Sequence, residues 1–402
     1  MNSMNRINRM NKMNKMDIDE QNEQGCTGTG TSERRGIPMK EKVAGLPAGP
    51  GVYLMKDGRG DIIYIGKSKN LKQRVSSYFQ PSAAHSSKIR RMVPQIRDLD
   101  IIRTDTEFEA LMLECRLIRE RRPIYNRKMK TPRAYVYVAV APGEGARALR
   151  LVREPDAAAE GRVFGPYTAG AGSIERAAAA VRELLGLACL KNRPDGIPCL
   201  NVKLGKCLGF CRGGEDGQRH REQAERLSEL MEGSDDGVYR EWERKMEEAA
   251  GQFDFERAAK LRDGLASLRL LMSKQRVASF AAENRNLIVL EELDANTAKV
   301  FCVRRNAVLH SEKVDWAGIG GPEGLLLRLR EAATGIFAPV QQEVGAEAIR
   351  REEIDEAQII YSYLRSGAAK AVEIPAEWLA PGAAAALEEG LRRLTETGSS
   401  DL

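Results

Sequence analysis

Gly51-Val-Tyr-Leu-Met55, a break at Asp57-Gly58 and Gly60, and then Ile62-Ile-Tyr-Ile65 form the stretch whose reading decides the fold. Both runs are short, β-branched and aromatic, and turn formers separate them, which predicts a β-hairpin. A strand rises about 3.3 Å per residue, so Tyr53 and Tyr64 are expected to face each other across it. Residues 70–79 follow as a helix, on which Arg74 and Tyr78, four apart, share a face. Residues 99–103 read as a third strand. Thr104-Asp-Thr-Glu107 has capping-box spacing, and Phe108, Leu111, Met112, Cys115 and Ile118 repeat behind it at helical spacing until Pro123 closes the element. Glu114 lies at the edge of that stripe, where a carboxylate can line a cleft. Residues 44–133 are therefore expected to form one small α/β domain.

Charge singles out the same region. Between Glu41 and Arg133 there are 20 Lys and Arg against 10 Asp and Glu, so the rest of a chain of net charge +6 sums to −4. One basic domain on a mildly acidic chain is the footprint of a phosphate-backbone binder. No apolar run approaches the roughly 20 residues of a spanning helix. Met1–Met16 has no apolar core and does not read as a secretory signal. Seven cysteines in 402 residues are too few for a disulfide scaffold, so no membrane association and a reducing, cytoplasmic setting are expected.

The remaining chain divides by composition. Residues 1–40, rich in Asn, Met, Gly, Thr and Ser, read as a disordered tail. Residues 134–215 carry an alternating strand at 135–140, a turn at Phe164-Gly-Pro-Tyr167, an Ala-rich helix at 173–187 and a cysteine cluster. Residues 218–276 are helix-forming, broken near Gly233 and Gly251. Asp254 can cap the last piece, which makes 241–276 a helical hairpin. Residues 277–402 read as a small α/β domain: three strands within 285–312, helices at 323–333 and 352–364, and a strand at 371–374. The whole is an α/β multidomain chain.

Phosphodiester hydrolysis needs a base for water, a cation for the developing charge and help for the leaving oxygen. Tyr53, Tyr64, Lys67, Arg74, Tyr78, Glu114 and Asn126 supply those types. A lone carboxylate can hold Mg²⁺, and a tyrosine whose pKa is lowered by neighbouring cations and by metal-bound water can act as base. Cys189, Cys199, Cys207 and Cys211, four of the seven cysteines within 23 residues, read as metal ligands. Four thiolates suit zinc or an iron–sulfur cluster. Lys191, Arg193, Lys203, Lys206 and Arg212 surround them and can contact phosphates or offset thiolate charge. Cys115 reads as core and Cys302 as a strand residue.

Gly51-Val-Tyr53, Tyr64-Ile-Gly66, Lys67, Arg74, Tyr78, Glu114 and Asn126 together resemble the GIY-YIG nuclease domain, with Val in place of the middle Ile of the first triplet. The resemblance implies Tyr64 as general base, Arg74 as stabiliser of the transition state and Glu114 as the protein ligand of Mg²⁺ (or Mn²⁺). It gives Tyr53, Lys67, Tyr78 and Asn126 the task of shaping the catalytic site and its proton network. Followed by the cysteine cluster, it resembles the N-terminal half of the UvrC family of nucleotide excision repair, which implies a 4Fe–4S cluster over zinc. The 241–276 hairpin resembles the UVR motif, which implies docking of UvrB through Phe253, Phe255, Ala258, Leu261 and Arg262. Residues 277–402 resemble the start of the UvrC C-terminal region. Neither an Asp-Ile-Ser-type strand of a second nuclease nor a helix-hairpin-helix signature is evident; Gly318-Ile-Gly-Gly321 is a lone loop. The resemblance then implies a short UvrC paralogue or a truncated UvrC: an Mg²⁺-dependent endonuclease that makes a single, 3′-side incision in damaged double-stranded DNA in the DNA-damage (SOS) response, recruited by UvrB. The alternatives are a non-catalytic UvrB- and DNA-binding regulator and a stand-alone structure-selective nuclease.

Overall fold

The computed structural model describes residues 39–80, 86–130, 135–155, 161–168, 170–337 and 353–395. Residues 1–42 form a unit of their own, of which only the last four are described, at the start of helix α1 (Met39–Ala44). The expected tail thus lies outside the described residues except for Met39 and Lys40, which are helical rather than irregular.

The first sheet is antiparallel in the order β2-β1-β3, from β1 (Gly51–Lys56), β2 (Ile62–Ser68) and β3 (Asp98–Arg103). The Asp57 side chain closes the hairpin by accepting from the N–H of Arg59 and of Asp61 at 2.9 and 3.0 Å. Helix α2 (Leu71–Phe79) is capped by Asn70, whose side chain accepts from Gln73 N–H at 2.9 Å. A short helix α3 (Ser87–Met92) follows. Helix α4 (Glu107–Arg121) opens on a reciprocal capping box, but between Thr106 and Glu109. The expected pair was Thr104 and Glu107, two residues early. Thr104 instead donates its hydroxyl to the Thr106 carbonyl, leaving Thr106 as the last extended residue, where a cap must sit.

The second sheet runs β5-β4-β6, from β4 (Val136–Val140), β5 (Leu149–Val152) and β6 (Arg162–Tyr167). Strand β4 is buried along its whole length rather than alternating. The expected turn at Phe164-Gly-Pro-Tyr167 is part of β6; it holds a cis Gly165–Pro166 bond beside a register shift, where a strand tolerates a proline. Against this sheet pack α5 (Ala171–Leu184), α7 (Gly214–Glu232) and α9 (Phe255–Ala282), while α8 (Gly237–Gly251) packs on α7 and α9; α6 (Leu200–Lys203) is one turn within the cysteine region. Asp254 caps α9 as expected, accepting from Arg257 N–H at 3.1 Å. The shared core joins Val138 and Phe164 of the sheet to Ile174, Leu227, Trp242, Leu261, Leu265 and Leu268.

The third sheet, β10-β7-β8-β9, combines β7 (Asn286–Glu292), β8 (Thr297–Arg304), β9 (Ala307–Asp315) and β10 (Lys370–Glu373). Ile288, Leu290, Val300 and Cys302 face α10 (Gly321–Phe337) and α12 (Ala384–Thr395), a helix not expected from the sequence. Leu287, Val289, Phe301 and Val303 face the other way, onto α4 and α11 (Ile354–Leu364). Burial on both faces explains why these strands read as continuous apolar runs. It also corrects the expected boundary at 277. Helix α9 passes through it to Ala282, and Phe108 of α4 stacks on Tyr363 at 4.1 Å and meets Phe301 edge-on at 5.1 Å. The stripe Phe108, Leu111, Met112, Cys115 is thus core as expected, but shared with the C-terminal sheet. Ala110, Leu117 and Ile118 face the first sheet instead. Lys299, almost wholly buried, fastens the same junction with ion pairs to Asp105 at 2.7 Å and Glu109 at 2.8 Å. Among the described residues no helix is long and apolar enough to cross a membrane.

Candidate active site

Strand β2 is an edge strand, and its outward backbone groups need partners. Three residues of α4 and the loop after it supply them. Tyr125 N–H donates to the Ile63 carbonyl at 3.0 Å. Asn126 closes both polar groups of Ile65, accepting from its N–H at 3.0 Å and donating to its carbonyl at 2.9 Å. Glu114 accepts from Lys67 N–H at 3.1 Å. The Asn126 amide is therefore committed to the backbone beside Tyr64. Glu114 has its second oxygen free of hydrogen bonds from the described residues.

Tyr53 and Tyr64 are not directly opposed. Tyr53 pairs with Gly66 and Tyr64 with Met55, which makes the two tyrosines diagonal neighbours on one face. Tyr78 of α2 completes a triangle with ring centroids 5.9–6.3 Å apart. The Tyr53 and Tyr78 hydroxyls are 2.7 Å apart. The register explains the glycine opposite Tyr53. A Cβ on Gly66 would lie 2.3 Å from the Tyr53 hydroxyl, so the ring lies across the bare backbone. A Cβ on Gly51 would meet the Ile102 carbonyl of β3 at 2.4 Å.

Cations ring this triangle. The Arg74 guanidinium sits 5.1 Å from the Tyr78 ring centre and the Lys88 ammonium 4.3 Å from that of Tyr64. The sequence reading missed Lys88; its sequence signal was Ser86, which caps α3 and fixes Lys88 in the first turn. The Lys67 ammonium pairs with Glu107, also missed, which lies two helical turns before Glu114 on α4. Burial, then Tyr78 and Glu114, push the Tyr64 phenol well above its ordinary value, against the opposing effect of Arg74. Burial also raises the Glu114 carboxyl, with the Lys67 N–H and the Lys67, Arg74 and Lys88 charges working against it. A half-buried carboxylate with one free oxygen fits a hard divalent cation that keeps most of its waters.

The four clustered cysteines come together in one buried group with Phe210. The Cys189, Cys199 and Cys211 sulfurs lie within 4.8 Å of one another; Cys207 shares the buried cluster but not that close trio. Backbone N–H groups of Lys191, Cys199 and Gly209 point at the sulfurs of Cys189, Cys211 and Cys207 at 3.4, 3.2 and 3.3 Å. Burial pushes the Cys189 thiol up to about 12. In Cys199 burial is outweighed by backbone N–H groups and Cys211, which bring it down to about 7. Three convergent sulfurs with a fourth cysteine in the same buried cluster, approached by N–H donors, suit a thiolate site for zinc or for an iron–sulfur cluster. Of the surrounding cations, Lys191, Lys206 and Arg212 are paired with Asp195, Glu183 and Asp216. Cys115 and Cys302 are buried as expected.

Comparison with known proteins finds three family matches in sequence: the UvrC-like GIY-YIG domain over residues 49–127, the middle domain of the UvrC/Cho excinucleases over 135–230, and the UvrB/UvrC motif over 239–271. The UvrABC system protein C of Acetivibrio thermocellus is 33% identical over 354 residues, covering 84% of this chain and 55% of that protein. The chain belongs to the UvrC family. UvrABC system protein C of Moorella thermoacetica is also 33% identical, over 82% of this chain and 53% of its own length. The chain thus spans about half the length of the curated UvrC relatives it matches. A solved structure of the GIY-YIG N-terminal endonuclease domain of UvrC from Thermotoga maritima, bound to magnesium as its catalytic divalent cation, is 35% identical, covering 24% of this chain and all of that one, with a TM-score of 0.21.

In this UvrC-family chain the α8–α9 hairpin presents its turn to solvent. Phe253, in the left-handed region at φ 58°, is 78% exposed and Phe255 66% exposed. Their rings meet edge-on at 6.1 Å. Ala258 is half-buried, and Arg262 is exposed and bound to Asp263. Leu261 departs from the expectation. It is 5% exposed and belongs to the core with Trp242 and Leu265, because the same helical stripe that reads as an apolar docking face here packs inward.

Proposed function

We propose that this UvrC-family chain is an Mg²⁺-dependent DNA endonuclease of nucleotide excision repair that cuts once, on the 3′ side of a lesion, after recruitment by UvrB. The observation that carries the reading is the convergence of one free carboxylate oxygen (Glu114), three tyrosines and the Arg74 and Lys88 cations on one side of β2. A divalent cation held by Glu114 would supply positive charge to a non-bridging phosphate oxygen. Arg74 neutralises charge that develops on the phosphorane. Tyr64 takes the proton of the attacking water as general base, acting as the phenolate when the cation and Arg74 offset its charge, and the Tyr78 and Tyr53 phenols pack beside it. Asn126 and Glu107 hold Tyr64 and Lys67 in register.

The same reading gives the four cysteines a 4Fe–4S cluster, zinc being the alternative, and gives the exposed Phe253 and Phe255 to UvrB. Free thiols in this number suit the cytoplasm. The test is a duplex with one bulky lesion, end-labelled on the damaged strand, incubated with Mg²⁺, UvrA, UvrB and the protein. The expected product is one nick 3′ of the lesion that requires UvrB. A protein that binds UvrB and DNA yet leaves the strand whole is a regulator, and overturns the reading.

A further inference from the structure

The loop after α4 does more than support β2. Arg122 ends the helix in the left-handed region at φ 47°, with its N–H on the Ile118 carbonyl at 2.9 Å. Asn126 N–H returns to the Pro123 carbonyl at 3.2 Å, a turn that places Ile124 at its first corner. Lys130 donates to the same Pro123 carbonyl at 2.9 Å, and the Tyr125 hydroxyl donates to the Arg91 carbonyl at 3.3 Å. With the Tyr125 and Asn126 bonds to β2, the corner is tied down on both sides. Yet the side chain it carries is apolar and 70% exposed.

Its neighbours are cations. Arg121, Arg122, Arg127 and Lys128 are exposed, and none is ion-paired among the described residues. The Tyr125 bond to Arg91 joins the loop to α3, which holds Lys88 over Tyr64, and Asn126 joins it to Ile65, next to Tyr64. The loop therefore abuts the candidate active site. A rigid apolar tip flanked by unpaired arginines matches the way proteins enter a duplex: arginines bind the phosphates and an aliphatic side chain slips between two base pairs.

We propose that Ile124 is a wedge that enters the base stack of duplex DNA beside the phosphodiester held at Glu114 and Arg74. This rests on the nuclease reading above. It makes Ile124 a specificity-determining residue. A step already weakened by damage unstacks at little cost, whereas an intact step resists unstacking, so the wedge favours incision at distorted DNA.

The test places the fluorescent base 2-aminopurine at each step flanking the cut in the lesion duplex, in the full assembly with UvrA and UvrB. Fluorescence is read before Mg²⁺ is added and incision after it. The parent is expected to brighten one step next to the cut. Ile124→Ser, an exposed substitution that leaves folding unchanged, loses that signal and slows incision about tenfold through the lost aliphatic burial, while Ile124→Leu keeps both. Equal brightening and equal incision by the serine variant and the parent overturn the wedge and leave the nuclease reading standing. Loss of UvrB binding by the serine variant, with its duplex signal intact, assigns the tip to a protein contact and also overturns the wedge. A parent that neither binds nor cuts any duplex overturns both.

Discussion

Gly66→Ala adds one methyl group at the tightest point of the tyrosine triangle. The new Cβ would lie 2.3 Å from the Tyr53 hydroxyl oxygen, 2.4 Å from Cζ and 2.9 Å from Cε2. Carbon atoms pack at about 3.5–4.0 Å, so the ring must retreat by about 1 Å. Tyr53 is 1% exposed, with Tyr64 and Tyr78 against it, and has nowhere ready to go. Overpacking of this kind costs about 1–3 kcal/mol. In a domain of about 60–100 residues, the size class of 44–133, each kcal/mol lowers Tm by about 4–8 °C. The larger effect falls on function, because misplacing reacting groups by ~1 Å costs about 100-fold in rate. The assay is Mg²⁺-dependent nicking of the lesion duplex alongside thermal unfolding. A double-mutant cycle isolates the cause: in a Tyr53→Ala background, where the ring is gone, Gly66→Ala should cost little further stability. A Gly66→Ala protein with the parent's Tm and nicking rate would refute the close approach and the argument built on it.

Glu114→Gln should raise Tm at neutral pH without metal. The raised folded-state pKa means that ionised Glu114 opposes folding, so the parent loses stability as pH rises from the ordinary carboxylate range through the Glu114 titration, and glutamine removes that loss. Mg²⁺ should then raise the Tm of the parent but not of the variant. Lys299→Met strands Asp105 and Glu109 at the junction of α4 with the C-terminal sheet and should cost about 1–3 kcal/mol in urea unfolding. Leu261→Ala should cost about 2–5 kcal/mol as a core deletion. Phe253→Ala and Phe255→Ala should stay within about 0.5 kcal/mol of the parent while weakening capture of UvrB in a pull-down.

The hairpin, the α4 stripe, the cysteine cluster and the C-terminal strands were legible because each leaves a local mark: alternation, helical period, spacing or a β-branched run. The structure also assembles the residues that the nuclease motif singles out, from Tyr53 to Asn126, around one edge strand. What local patterns could not carry was partnership between distant elements. Nothing in the sequence near Phe108 says that its far face meets Phe301 and Tyr363, so the boundary at 277 looked cleaner than it is. The UVR stripe had the same ambiguity, since an apolar helix face reads alike whether it meets a partner or its own core, and Leu261 went inward. The depth of the Tyr64 ring was equally hidden, since nothing local says that burial, Tyr78 and Glu114 act against Arg74 on its phenol. Lys88 lay beyond reach of strand and helix patterns because α3 is only six residues long.

The most direct test of the central claim compares the parent with Glu114→Gln and Arg74→Ala on the lesion duplex, titrating Mg²⁺ and measuring both DNA binding and nicking. The account predicts that both variants bind as the parent does and that neither nicks at any Mg²⁺ concentration. Full nicking by Glu114→Gln would contradict the assignment of the single free carboxylate of this site to the metal.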